Sequence, residues 1–164
     1  EMQAQGHRLT AVAAGDFHYA ANWREGIPFT YVYAGELSVP AILRGIRQGR
    51  VVISNGPWLD LQATSGGRAA GVGETLVAIG SSIHLQAAWK DAPAGARLRW
   101  WAGTILLGEE KVGRDGVAAR QVDVGSEDRL WVELWSGHGS LLAMTNPCLV
   151  LICGQTAHPL ASVT

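Results

Sequence analysis

Most of this chain after Val51 is written in short runs where apolar and polar residues alternate. Ile83, Leu85 and Ala87 alternate with His84 and Gln86, and Val132 and Leu134 alternate with Trp131, Glu133 and Trp135. A period of two puts one set on each face of a strand. The same reading covers Val51–Ser54, Trp58–Ala63, Ser82–Trp89, Leu98–Ala102, Thr104–Leu107, Val117–Val124, Leu130–Trp135, Leu141–Met144 and Cys148–Ile152. Glycine, serine, asparagine and aspartate separate these runs at intervals of about ten residues, the rhythm of a β-sandwich. The pattern predicts a mainly β fold, an antiparallel sandwich of about eight to nine strands.

Upstream of Val51 the pattern changes. Leu9–Ala14 is apolar with small residues and predicts a buried strand. Residues 15–37 read as loop, interrupted by the extended run Phe29–Tyr33. Ser38 to Gly49 predicts a helix: Ser38 is a good N-cap, Pro40 is tolerated in the first turn, and Gly49 suits the C-terminal end. Ile42, Leu43 and Ile46 share helical spacing, and Arg44, Arg47 and Arg50 lie towards the end that favours cations. Asn55-Gly56-Pro57 predicts a tight turn, and Ser65–Gly73 a glycine-rich excursion. Four stretches follow: residues 1–36, a connecting helix at 37–50, a sandwich at 51–154, and a tail at 155–164. Glu1–Gln5 reads as the end of a helix begun further upstream and closed by Gly6.

Composition narrows the partners. The 164 residues carry a formal charge of −1 and no cluster of Lys or Arg, so no electrostatic footprint for nucleic acid is present. No apolar run has the length of a membrane span, and no basic-then-apolar leader opens the chain. Cys148 and Cys153 would face opposite ways in one strand, too far apart to pair, and read as free thiols. Unpaired thiols favour a reducing, cytoplasmic compartment without deciding it, and export stays open. Seven tryptophans are many for this length. Core packing or interdomain contact accounts for them, and stacking on sugars is the sharper alternative. Trp100 and Trp101 must face opposite sides of a strand.

The chemistry-bearing motif is Gly15-Asp16-Phe17-His18. Residues i and i+2 of an extended chain point the same way, roughly 6.5–7 Å apart. Asp16 and His18 therefore offer a hard oxygen and an imidazole nitrogen to one divalent ion or to two neighbours, of the Zn, Mn or Fe type. The remaining histidines have no ligand-like neighbour: His84 lies on the polar face of a strand, His138 between glycines, and His158 in the tail. Asn55 and Asn146, each beside a turn-forming Gly or Pro, read as turn or sandwich-edge residues.

The stretch Gly6–His18 resembles the closing motif of PHP-type metal-dependent hydrolases, where a strand ends in Gly-Ser-Asp-x-His. Gly26–Tyr33, the helix, and Gly49–Pro57 resemble the CehA/McbA-like branch of that superfamily, in which a β-rich C-terminal region follows the barrel. Thr145-Asn146-Pro147 is similar to a motif near its end. The resemblance covers residues 6–61 and thins over the glycine-rich middle. It departs from the family at Ala14, where glycine or serine is usual, and at Gly15, where serine is common.

This resemblance implies that residues 1–36 are the C-terminal remnant of a PHP barrel: its last strand and loop, followed by the helix. Asp16 and His18 would be the last metal ligands of a site completed upstream. Such barrels begin with a His-x-His pair, and none occurs in these residues. The implied activity of the parent is hydrolysis of a small-molecule ester or phosphoester by divalent ions that acidify water. Arg50 is a substrate-pocket candidate because a guanidinium binds anions bidentately, with pairing to a carboxylate at the helix end as the plainer reading. Thr30 and Tyr31 are pocket candidates beside the metal, with packing as the alternative. The chain alone is expected to be inactive and to hold no metal stably. Its partner would be the upstream barrel of the same polypeptide, and a homo-oligomer remains open. The alternative is a non-catalytic carbohydrate- or ligand-binding sandwich module.

Overall fold

The computed structural model describes residues 9–15, 28–124 and 129–152. In chain order the elements are β1 (Phe29–Val32), α1 (Val39–Arg47), β2 (Val51–Ser54), β3 (Trp58–Ser65), β4 (Arg68–Gly71), β5 (Thr75–Ala78) and β6 (Ser82–Lys90). Then come β7 (Arg97–Ala102), β8 (Ile105–Lys111), β9 (Gly116–Asp123), β10 (Arg129–Trp135), β11 (Leu141–Thr145) and β12 (Cys148–Ile152). Strands β4-β3-β6-β9 form one antiparallel sheet and the other eight form a second. Leu59, Leu61 and Ala63 of β3 and Ile83, Leu85 and Ala87 of β6 are buried in one cluster with Leu98, Trp100, Leu130, Val132, Leu134 and Val150 of the larger sheet. The alternation in sequence thus selects the inner face of each sheet, as a sandwich requires. No described helix is long and apolar enough to cross a membrane.

Several expectations need correction. Eleven strands lie within residues 51–154, against the expected eight or nine, and the larger sheet is mixed because β5 runs parallel to β12. Of the extra strands, β4 arises inside the glycine-rich excursion and β5 directly after it. Gly66 and Gly67, at φ 55° and 77°, make the two-residue turn that pairs Ser65 with Arg68. The small side chains of Ala69, Ala70 and Gly71 hide that strand from a periodicity search. Phe29–Val32 is an edge strand paired with β2. The turn at Asn55-Gly56-Pro57 does not close a hairpin but carries the chain from the larger sheet to the smaller one.

Leu9–Ala14 is neither buried nor a strand of either sheet: Leu9 is 46% and Val12 55% exposed. The helix forms as expected, with the Ser38 hydroxyl accepting from Ala41 N–H. Gly49, at φ 74°, ends it: Gly49 N–H donates to Ile46 C=O and Arg50 N–H to Gly45 C=O. This is the Schellman pattern, in which the left-handed residue is best supplied by glycine. The buried face of α1 is not the Ile42-Leu43-Ile46 stripe alone. Ala41 and Gly45 are its buried residues, and Leu43 is 42% exposed. A Cβ at Gly45 would stand 2.7 Å from Tyr33 O and from Val32 Cγ1, so the helix lies directly on the edge of β1.

Cys148 is buried in β12, and burial pushes its thiol up to about 12, with the nearby Glu74 charge adding to the rise. Tyr33 is shifted the same way by burial and by its 2.7 Å hydrogen bond to Asp60. An unfolded thiol titrates near about 8.5. Between that value and about 12 the unfolded chain loses a proton that the folded chain keeps, so stability falls as pH rises. Urea unfolding from pH 8 to 10.5 is expected to show this decline, and Cys148→Ala should flatten part of it. In peptide mapping after iodoacetamide treatment at pH 8, Cys148 should remain unmodified until the chain is denatured.

Candidate functional site

The centre of the larger sheet contains a break. β10 pairs Leu134 with Ala143 and Glu133 with Met144, then resumes with Leu130 against Cys148 and Arg129 against Leu149. Between these registers Trp131 and Val132 lie opposite Thr145, Asn146 and Pro147, an extra residue that makes a bulge. Pro147 has no N–H to give to a ladder. Side chains replace the missing bonds. The Thr145 hydroxyl accepts from Val132 N–H at 3.1 Å. Asn146 is 1% exposed and its N–H donates to Val51 C=O. Its carboxamide Nδ2 donates to Val51 C=O and to Ala11 C=O, each at 2.9 Å, while Oδ1 accepts from Ala11 N–H at 2.8 Å.

That carboxamide holds the segment leading to Asp16. Ala11 is bound through both backbone groups by Asn146, and Ala13 through both by Thr30, whose Oγ1 lies 2.9 Å from Ala13 N and from Ala13 O. Thr10 Oγ1 donates to Ile46 C=O at the helix end. Alternate residues, 11 and 13, thus face the sandwich as a ladder partner would, but through side chains. Within the described residues, the backbone groups of Val12 and Ala14 on the opposite edge form no hydrogen bonds.

Next to this anchor, the end of α1, the β4–β5 turn and the bulge enclose a cleft of about 470 Å³. Its walls include Leu9 and Thr10, Arg47 to Arg50, Gly73 to Thr75, Arg129, and Asn146 and Pro147. Gly73, at φ 74°, makes the close approach possible: a Cβ there would stand 2.3 Å from Gly49 C and 2.5 Å from Arg50 N. Arg50 reaches Glu74 at 3.4 Å, with both side chains about two-fifths exposed, 41% and 42%. An ion pair this exposed contributes about 0–1 kcal/mol.

Asp16 and His18 lie outside the described residues, as do Cys153 and His158. Arg50 lines the cleft. Thr30 and Tyr31 are not among the cleft residues: the Thr30 hydroxyl is bound to Ala13, and Tyr31 packs edge-on against Phe29 with ring centroids 5.0 Å apart. His84 and His138 are exposed, and among the described residues no three His, Cys, Asp or Glu side chains are grouped so as to hold a metal ion. Asn146 was expected at a turn or an edge and is instead interior.

The tryptophans divide as strand geometry requires. Trp100 is buried in the core and Trp101 lies half-exposed on the opposite face. There it stacks on Trp131 at 6.0 Å, while Arg99 covers the Trp135 ring at 4.5 Å. Glu133 accepts from the indole N–H groups of both Trp101 and Trp135. Arg99 and Arg97 both bind Glu109 and hold its carboxyl below the ordinary range. One face of each of these three rings is thus occupied by a neighbouring side chain.

Compared with protein-family models, curated proteins and solved structures, the chain matches none.

The parts played by two residues do not show in the sequence pattern. Pro147 signals the break between Leu141–Met144 and Cys148–Ile152, but not the interior bonds that Asn146 makes there. Gly73 carries no signal, since its contact with Gly49 joins residues far apart in the chain. Asn146→Ala would leave the Ala11 N–H and C=O without their partner, remove one of the two bonds to Val51 C=O, and is expected to cost roughly 2–4 kcal/mol in urea unfolding. Asn146→Asp should cost more, since a carboxylate would face two carbonyl oxygens. Both should speed proteolytic cleavage near residues 9–15. Gly73→Ala adds left-handed strain of roughly 1–2 kcal/mol and a clash of roughly 1–3 kcal/mol, so unfolding should register about 2–5 kcal/mol.

Proposed function

We propose that this chain is the C-terminal part of a PHP-type metal-dependent hydrolase, with the sandwich as an accessory domain that positions the strand end carrying Asp16 and His18. The observation that carries this reading is the anchor. Asn146 and Thr30 clamp Ala11 and Ala13 just before Gly15-Asp16-Phe17-His18, although that segment belongs to neither sheet. Four part-buried side-chain bonds spent on an otherwise exposed segment fit a segment whose placement matters beyond the sandwich. Its opposite edge, with Val12 and Ala14 unbonded to described residues, fits a strand that another sheet completes.

The donor pair suits a Zn, Mn or Fe ion in kind, Asp16 as an anionic ligand and His18 as a neutral one. It falls short of the about three or four protein ligands that such sites use, so the upstream barrel supplies the others. A divalent ion, when bound, acidifies water and polarises an ester or phosphoester. Each ligand also needs an outer partner to orient it.

The test uses the polypeptide extended upstream through that barrel. Asp16→Ala and His18→Ala should each reduce bound metal, read by elemental analysis, and lower hydrolysis of a chromogenic phosphoester or carboxylic ester by roughly tenfold or more. Unchanged metal content and activity in both variants would sink the reading.

A further inference from the structure

We infer that the cleft between the end of α1 and the β4–β5 turn binds an oxyanion, phosphoryl or carboxylate, through Arg47 and Arg50. The inference goes beyond the metal reading and does not require it, since every residue it uses lies in the described part of the chain.

Charge points to the ligand. Arg47, Arg50 and Arg129 line the cleft, and Glu74 is the one carboxylate among the described lining residues. A recess with one dominant sign of charge focuses the field and concentrates counter-ions. A helix C-terminus would ordinarily oppose an anion through its free carbonyls. Here the Arg44, Gly45 and Ile46 carbonyls are already taken by Gln48, Arg50 and Gly49 N–H groups, and Thr10 adds a second bond to Ile46. The repulsive groups are therefore neutralised from inside.

Donors remain available. The Asn146 carboxamide is spent on Ala11 and Val51, whereas the side chains of Arg47, Gln48 and Thr75 make no hydrogen bond to a described residue. Arg50 lies 3.4 Å from Glu74 at the mouth of the cleft, in a pair exposed enough to exchange partners with an incoming anion. Guanidinium groups meet phosphate and carboxylate oxygens bidentately, and a volume of about 470 Å³ suits a small molecule carrying such a group.

The experiment is calorimetric titration of the 164-residue chain with inorganic pyrophosphate and, separately, citrate, each against sodium chloride at matched ionic strength. Saturable one-to-one binding is expected for at least one probe, and the tighter of the two identifies the class of oxyanion. Arg47→Gln, an exposed helix position, should weaken it roughly tenfold or more without changing the far-ultraviolet spectrum. Thr75→Trp should block it by filling the cleft. Arg97→Gln removes the same charge at the opposite end of β7 and β10 and should leave affinity unchanged. Binding of neither probe beyond the chloride control overturns the inference, as does an Arg47→Gln variant that binds normally or an equal loss in Arg97→Gln. If metal and activity survive changes at Asp16 and His18 while this binding persists, the hydrolase reading falls and the oxyanion site stands.

Discussion

The structure depends on one buried carboxamide that joins two distant stretches of backbone through three hydrogen bonds. At Asn146 the central strand of the larger sheet breaks, and a broken strand in a sandwich interior leaves donors and acceptors away from water. Each such group left unpaired costs about 1–3 kcal/mol. Asparagine suits the position because its side chain offers two donors and an acceptor in one plane. It takes Val51 and Ala11 carbonyls with Nδ2 and the Ala11 N–H with Oδ1. Leucine would satisfy none of these, and aspartate would turn two attractions into repulsions.

The break lets one edge serve two neighbours of opposite direction. β2 runs antiparallel along β11, and β5 runs parallel along β12. The change falls at Asn146 and Pro147, where Gly73 N–H donates to Pro147 C=O and Leu149 N–H to Glu74 C=O. The β4–β5 turn is thereby pressed against the end of α1, a contact that glycine at position 73 allows. The cleft is what remains between these pieces. Its arginines and the segment leading to Asp16 therefore share one support, which ties the proposed catalytic edge and the proposed oxyanion site to a single packing arrangement.

Particular residues show how far sequence patterns reach. The alternations in β6 and β10 identify the inner faces, and Ser38 and Gly49 mark the helix ends, because these signals are local: a strand's two faces and a helix's unpaired groups are set within a few residues. β4 was missed because Arg68-Ala69-Ala70-Gly71 has no bulky apolar residue to alternate. Leu9–Ala14 was read as buried from its composition, yet composition does not say what covers a segment. The Asp16 and His18 pair and the Arg50 candidate were legible as residue types. The pairing of Arg50 with Glu74 and its place in a cleft with Arg47 were not.

The sequence by itself determined a mainly β chain with one capped helix, a core made from alternate residues, and a carboxylate and an imidazole set two apart. Those properties follow from the periods of strand and helix and from side-chain chemistry. Only tertiary structure decided that the larger sheet is mixed, that Asn146 replaces a ladder, that Gly73 lies against Gly49, and that Arg47 and Arg50 border a cleft. Each of these joins residues distant in the chain. Their energies come from desolvation and close approach, and neither exists until the two sheets have packed.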